Sequence, residues 1–209
     1  MLAGQFRKPR GLLGRYISGA MLERNRQAYD WLFSNSDIGP DDRVLEIGFG
    51  PGHGIKRVLD TVSNGNGFVA GLDFSSTMCK KARASIRRHP AREKAQLEFG
   101  DAAGQPFADA SFDTLFAVNV VYFWKDLSAV FKELRRVLRP GGRAVLYFSD
   151  AACLKEMPIA DESVFNYYDS EYIVDALRAA GFTDVSHLDD ALVLQNRPWR
   201  RHLVSAIRA

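Results

Sequence analysis

Apolar positions along this chain follow two periods, and the switches between them outline the predicted elements. From residue 18 to 34, Met21/Leu22, Ala28/Tyr29 and Leu32/Phe33 recur at intervals of seven and then four residues, which predicts an amphipathic helix. Gly39-Pro40-Asp41-Asp42 breaks the chain, and Arg43 to Gly48 then reads as a short buried strand. A glycine-rich turn leads into a helix through Val58 and Leu59, and Gly67 to Asp73 is a second strand. Ser75 or Ser76 is placed to cap a helix through Met78, Ala82 and Ile86. Gln96 to Phe99 alternates as a third strand, and Phe112 to Asn119 is apolar enough for a fourth, buried on both faces. Leu127, Val130, Phe131, Leu134, Val137 and Leu138 keep helical spacing behind a cap at Asp126, and Pro140-Gly141-Gly142 is expected to end that helix.

Arg143 to Phe148 is the fifth predicted strand. Ser170 is expected to cap a helix through Ile173, Ala176, Leu177 and Ala180 that stops at Gly181. Val185–Leu188 and Leu192–Leu194 read as two final strands joined tightly through Asp189-Asp190, hence antiparallel. Strand and helix alternate from residue 43 to 149, the pattern of a parallel sheet covered by helices on both faces. The expected fold is α/β, Rossmann-like and doubly wound. Its seven-stranded sheet is mostly parallel, with a C-terminal antiparallel hairpin. A helical segment over residues 1–34 is expected to precede a ligand-binding domain over 35–209. Ligands in such sheets bind beyond the carboxyl ends of the strands, where strand order reverses. Chemistry is therefore sought just after Gly48, Asp73, Gly100 and Val118.

Composition narrows the class. Hydrophobic residues make up 46% and charged residues 25% of the 209, which excludes a disordered, collagen-like or disulfide-scaffold chain. The longest nearly apolar run, Leu115 to Trp124, falls well short of the ~20 residues a membrane-spanning helix requires, and the first ten residues lack the apolar stretch of a secretory signal. Cys79 and Cys153 sit in no paired spacing, which suits a reducing, cytoplasmic setting. Net charge is +3, distributed as +5 over residues 1–26, +4 over 197–209 and −6 between. Two basic ends on an acidic body read either as attraction to an anionic surface or substrate or as solvated termini.

After the first strand comes Glu46-Ile-Gly48-Phe49-Gly50-Pro-Gly52-His53-Gly54. Alternate glycines between a strand and a helix let a ligand approach backbone amides closely. The dinucleotide fingerprint G-x-G-x-x-G fails in every register, because His53, Ile55 and Arg57 stand where its last glycine belongs. The phosphate loop fails too, since Gly54-Ile55-Lys56 does not supply Gly-Lys-Ser/Thr.

What remains, E-x-G-x-G-x-G, resembles the class I S-adenosylmethionine-dependent methyltransferases. The resemblance continues in order through Leu72-Asp73, Gly100-Asp101-Ala102, Pro106-Phe107 to Phe112-Asp113, and Arg136-Val-Leu-Arg-Pro140-Gly141-Gly142, spanning about residues 40–149. Its nearest flavour is the small-molecule group that includes the ubiquinone and menaquinone biosynthesis C-methyltransferases. The resemblance implies S-adenosylmethionine as cofactor, held by Glu46, Gly48, Phe49, Gly50, Gly52, Asp73, Phe74, Asp101, Ala102 and Asn119. Amides of the loop would meet its carboxylate, and Glu46 or a backbone carbonyl would face its ammonium. Asp73 would accept the ribose hydroxyls, or alternatively cap the following helix. Asp101 would sit near the adenine amino group or cap a turn, and Phe74 would stack on adenine or fill the core.

The acceptor is harder to read. Methyl transfer from a sulfonium is a direct displacement that needs alignment and exclusion of water rather than a fixed set of catalytic groups. Asn119-Val-Val-Tyr122-Phe-Trp124 has the end residues of the Asn-Pro-Pro-Tyr stretch of enzymes that methylate exocyclic amines, but not its prolines. Tyr122 and Trp124 are therefore expected either to wall an apolar acceptor pocket or to pack on the next helix. His53, Asn119 and Tyr122 are the candidate catalytic residues, His53 as a base, an orienting group or a solvent-facing loop position. No His, Cys or carboxylate group has metal-ligand spacing. Phe6, Leu12, Leu13, Tyr16 and Ile17 among Arg7, Lys8, Arg10 and Arg15 suggest a basic, apolar lid, or an arm on the sheet edge. The expected function is methylation of a small organic acceptor, hydrophobic with an anionic part, with no stable nucleic-acid partner. The alternatives are an enzyme acting on RNA or protein, or a non-catalytic domain that binds the cofactor.

Overall fold

The computed structural model describes residues 25–157, 163–194 and 197–209. Helix α1 covers residues 25–33 of the predicted first helix, and the rest of that segment, like the proposed lid, lies outside the described residues. Then follow β1 (Arg43–Ile47), α2 (His53–Val62), β2 (Phe68–Asp73), α3 (Ser76–Ile86), β3 (Ala95–Phe99), β4 (Phe112–Val118) and α4 (Leu127–Val137). The chain closes with β5 (Leu138–Ser149), α5 (Ala151–Lys155), α6 (Ser170–Ala179), β6 (Phe182–Leu194) and β7 (Arg197–Arg208). The seven strands form one sheet in the order β3-β2-β1-β4-β5-β7-β6. The first five pair in parallel, while β7 runs antiparallel to both its neighbours.

Alternate residues of the buried strands feed two cores, as the pleat requires. Val44, Val69, Phe116 and Val145 face α1, α2 and α3, where Leu32, Ile55, Leu59 and Ala82 cover them. Leu45, Ile47, Leu72, Leu115 and Leu146 face the other way, under Phe131 and Leu134 of α4 and Ile173 and Leu177 of α6. The Ser75 hydroxyl accepts from Met78 N, and the Asp126 carboxylate accepts from Ala129 N at 3.0 Å, so both predicted caps are in place. Because β2 and β4 flank β1 on opposite sides, the strand order reverses between β1 and β4. A crevice opens there beyond the strand ends.

Three local expectations need correction. Pro140-Gly141-Gly142 does not separate α4 from the fifth strand. Leu138 already pairs with Phe112, and the triplet forms an irregularity before pairing resumes at Thr114 and Arg143. Ser170 is the first helical residue of α6, preceded by Asp169, which makes no side-chain cap bond. The largest change concerns the C-terminus. Asp189-Asp190 is not a turn but the middle of β6, whose partner β7 is the basic end itself. Asp190 stands opposite Arg201 and pairs with its guanidinium at 2.6 Å, while Asp189 meets Arg200 at 3.7 Å. Adjacent acids tolerate a strand here because the facing strand supplies the opposite charges. Arg201 is nearly buried, and its guanidinium also lies over the Trp31 ring, 4.4 Å from the centroid. This basic end is thus built into the sheet rather than left as a solvated tail.

Candidate active site

The crevice holds a cavity of about 330 Å³. The loops after β1, β2, β3 and β4 form it, contributing among others Gly48 and Gly50, Asp73 and Phe74, Asp101 and Ala102, and Asn119 and Val120. Gly50 has φ +52°, and a Cβ there would project into open space with nothing within 4 Å. The floor of the cavity is therefore bare backbone, the arrangement a ligand needs to approach amides. Behind it, the Gly50 N–H donates to Asp73 Oδ2 at 2.8 Å, and Ser75 N–H donates to Asp73 Oδ1 at 2.8 Å. The capping reading of Asp73 is thus realised, and the residue also stands on the cavity wall. It caps the turn into α3 and pins the glycine loop, and it still lines the cavity with lone pairs to offer hydroxyl groups. Burial pushes its carboxyl up to about 6, although the two amide bonds pull the other way.

The sequence-predicted residues divide by geometry. Gly48, Gly50, Asp73, Phe74, Asp101, Ala102 and Asn119 line the cavity. Asp101 also caps its own turn, accepting from Ala103 N–H at 2.9 Å. Glu46, Phe49 and Gly52 are not brought to the cavity wall. Phe49 is buried against Gly71, which leaves room for its ring, and Gly52 backs onto Ala82 of α3. Glu46 is fully buried under the loop, beside Gly54, where a Cβ would collide with its carboxyl group. The Tyr29 hydroxyl of α1 donates to Glu46 Oε1 at 2.6 Å, whereas Oε2 has no hydrogen-bond partner among the described residues. Of the catalytic candidates, only Asn119 reaches the cavity. His53 is exposed at the start of α2, and Tyr122 packs against Phe123 and Phe165. Phe123, Trp124 and Lys125 line the cavity instead.

Burial carries the Glu46 carboxyl up to about 8, with the Asp73 charge adding to the rise and the Tyr29 hydroxyl opposing it. Its pKa is raised on folding, so the folded state holds the proton more tightly and stability is lost as pH rises from the ordinary 4.5 to about 8. Urea unfolding of the wild type is expected to show a fall on the order of 3 kcal/mol between pH 5 and 9. Glu46→Gln, which keeps an oxygen for Tyr29 and cannot ionise, should remove most of that fall. An identical pH dependence in the variant would mean that Glu46 ionises without penalty in the fold.

Asn25 of α1 also lines the cavity, although no spacing in the sequence marks it. Its Oδ1 accepts from Asn119 Nδ2 at 2.9 Å, across 94 residues of chain. Asn119 follows β4 with φ +56°, a left-handed conformation that Asn tolerates better than most residues. Its own Oδ1 is buried and without a hydrogen-bond partner among the described residues. Among the described residues, no group of three or more His, Cys, Asp or Glu is arranged to hold a metal ion.

A bare glycine floor, a buried carboxylate and an unpaired amide oxygen fit a ligand with hydroxyl and N–H donors at separate ends. With the strand order and the loop sequence, they are what an S-adenosylmethionine-dependent methyltransferase requires. Comparison with known proteins agrees. Residues 45–146 match the family described as "Methyltransferase domain". An uncharacterised methyltransferase of Bacillus subtilis, YdaC, is 26% identical over 174 residues, covering 83% of this chain and 88% of that protein. A sterol 24-C-methyltransferase of Gibberella zeae is 26% identical over 93% of this chain, which spans 54% of its length. Geranyl diphosphate C-methyltransferase of Streptomyces coelicolor, solved with S-adenosyl-L-homocysteine, superposes with a TM-score of 0.71. That match is 16% identical and covers 91% of this chain and 83% of the other, a likeness of fold.

Proposed function

We propose that this enzyme methylates a small organic acceptor that is hydrophobic with an anionic part. The observation that carries the reading is the wall beside the glycine floor. Val120, Phe123, Trp124 and Val130 make it apolar, and Lys125 and Asp126 line the same cavity. The cofactor supplies an activated methyl group when bound. Asp73 would hold the ribose hydroxyls, the amides of the Gly48–Gly50 loop the carboxylate, and Asp101 and Phe74 the adenine. The chain's further task is to align the acceptor and keep water out, which an aromatic wall does without a dedicated base. Tyr122 serves by packing behind that wall, its carbonyl oxygen accepting from Asn166 N–H at 2.8 Å. The sterol and geranyl diphosphate enzymes act on acceptors of this apolar kind by their names, which supports the reading. So does the resemblance of the motifs to the quinone C-methyltransferases.

Residues 1–20, the outer part of the 1–34 segment that precedes the domain of 35–209, would complete the site as a basic, apolar lid. Hydrogen exchange with and without S-adenosylhomocysteine should show protection of residues 5–20 only with the ligand. Equal protection in both states would make the segment a structural arm. A screen with methyl-labelled cofactor should include isoprenoid phosphates, phenolic acids and sterols, with transfer RNA and bulk protein as controls. Label is expected in an amphiphilic anion. Label in RNA or protein alone would overturn the small-molecule reading. Tight cofactor binding with no transfer to any acceptor would favour a non-catalytic role.

A further inference from the structure

We propose that Asn25 is a positioning residue, which turns the Asn119 amide so that its Oδ1 receives the ammonium group at the amino-acid end of the cofactor. The inference rests on the cofactor assignment above. Asn119 follows β4, and Gly48 follows the neighbouring strand β1, close enough that a side chain at Gly48 would collide with Val120. The Asn119 amide therefore lies beside the glycine loop. Asp73 and Asp101 follow β2 and β3 on the opposite side of β1. A ligand whose ribose and adenine sit over β2 and β3 must extend its other end over β1 and β4. Two donors of that cofactor, the hydroxyls and the adenine amine, are thereby accounted for at Asp73 and Asp101. The ammonium remains, and Asn119 Oδ1 is a buried oxygen lacking a donor.

An amide can present either its oxygen or its NH2 group to a cavity. The bond from Asn119 Nδ2 to Asn25 Oδ1 fixes the choice, because it spends the NH2 on α1 and leaves the oxygen for the ligand. The backbone N–H of Asn119 donates to the Tyr147 carbonyl at 2.8 Å, which holds the residue in place while its side chain is oriented. Asn25 opens the described part of α1, the helix that also carries Tyr29 onto Glu46. Ligand capture at the tail is thus tied to the seating of α1 on the sheet.

The test compares two ligands by calorimetry. S-adenosylhomocysteine has the amino-acid tail, and 5′-methylthioadenosine lacks it. Asn119→Gly suits the positive φ and removes only the side chain. It should weaken S-adenosylhomocysteine about tenfold, the loss of one charge-assisted bond, and leave methylthioadenosine unchanged. Asn119→Asp should keep or tighten binding of S-adenosylhomocysteine, since a carboxylate also accepts from an ammonium. Asn25→Ala should reproduce a several-fold loss for S-adenosylhomocysteine alone, and the double variant Asn25→Ala/Asn119→Gly should lose no more than Asn119→Gly. Weakening by Asn119→Asp would mean that the NH2 group faces the ligand. Additive losses would mean that Asn25 does not act through Asn119. An unchanged Asn25→Ala would likewise overturn the positioning role. If wild-type protein binds neither ligand, the cofactor assignment itself fails rather than the tail contact.

Discussion

Gly50→Val is expected to abolish binding of S-adenosylhomocysteine in a protein that still folds. Two effects act together. The residue has φ +52°, which a β-branched side chain adopts only with strain of roughly 1–2 kcal/mol. The new side chain would also enter the open space over the loop, where no atom of the described residues lies within 4 Å of the added Cβ and where the cofactor would lie. Relief of the strain by a shift of the loop would break the Gly50 N–H bond to Asp73, so either response damages the site. The loss should exceed a hundredfold in Kd by calorimetry, about 3 kcal/mol or more. Gly50→Ala should lose less, having the strain but a smaller intrusion. Wild-type affinity in a folded Gly50→Val protein would show that the ligand does not cross this loop.

The contrast between Gly50 and its neighbours shows what the sequence could and could not tell. The run from Glu46 to Gly54 joins a strand to a helix through contiguous residues, so local pattern sufficed to find the loop and its place at the strand ends. Ser75 and Asp126 were equally legible, because a helix cap is a local event. The direction each residue faces was not. Phe49 and Gly50 are adjacent, yet one ring is buried against Gly71 and the other position opens to the cavity. Glu46 matches the motif letter for letter, but Tyr29 reaches it from α1 and seals it under the loop. The Asn25–Asn119 contact joins two positions 94 residues apart that no periodicity connects. The same limit explains the hairpin. Asp189-Asp190 resembles a turn until His202 and Arg201 are known to lie opposite, with Arg200 one position along, a pairing set by the register of β6 and β7.

Asp73→Ala should weaken S-adenosylhomocysteine binding by about 2–4 kcal/mol, the loss of two charge-assisted bonds to hydroxyls. It should also lower the unfolding free energy, because the Gly50 and Ser75 amides lose their shared acceptor. Binding and stability separate with pH. Burial raises the Asp73 carboxyl from the ordinary 3.8 to about 6, so the folded protein binds this proton more tightly than the unfolded chain does. Its contribution to stability is therefore fully present below about pH 4 and is lost as pH rises to about 6. A ligand that donates to the carboxylate favours the charged form, so affinity should move the opposite way. It should fall on acidification below about pH 6 and level off above it. The shift in Tm produced by S-adenosylhomocysteine is then expected to grow between pH 5 and 7 in the wild type and to lose that pH dependence in Asp73→Ala. An affinity equally strong at pH 5 and pH 7 would mean that the carboxylate does not carry the ribose contact. The bonds to Gly50 and Ser75 would then be its whole role.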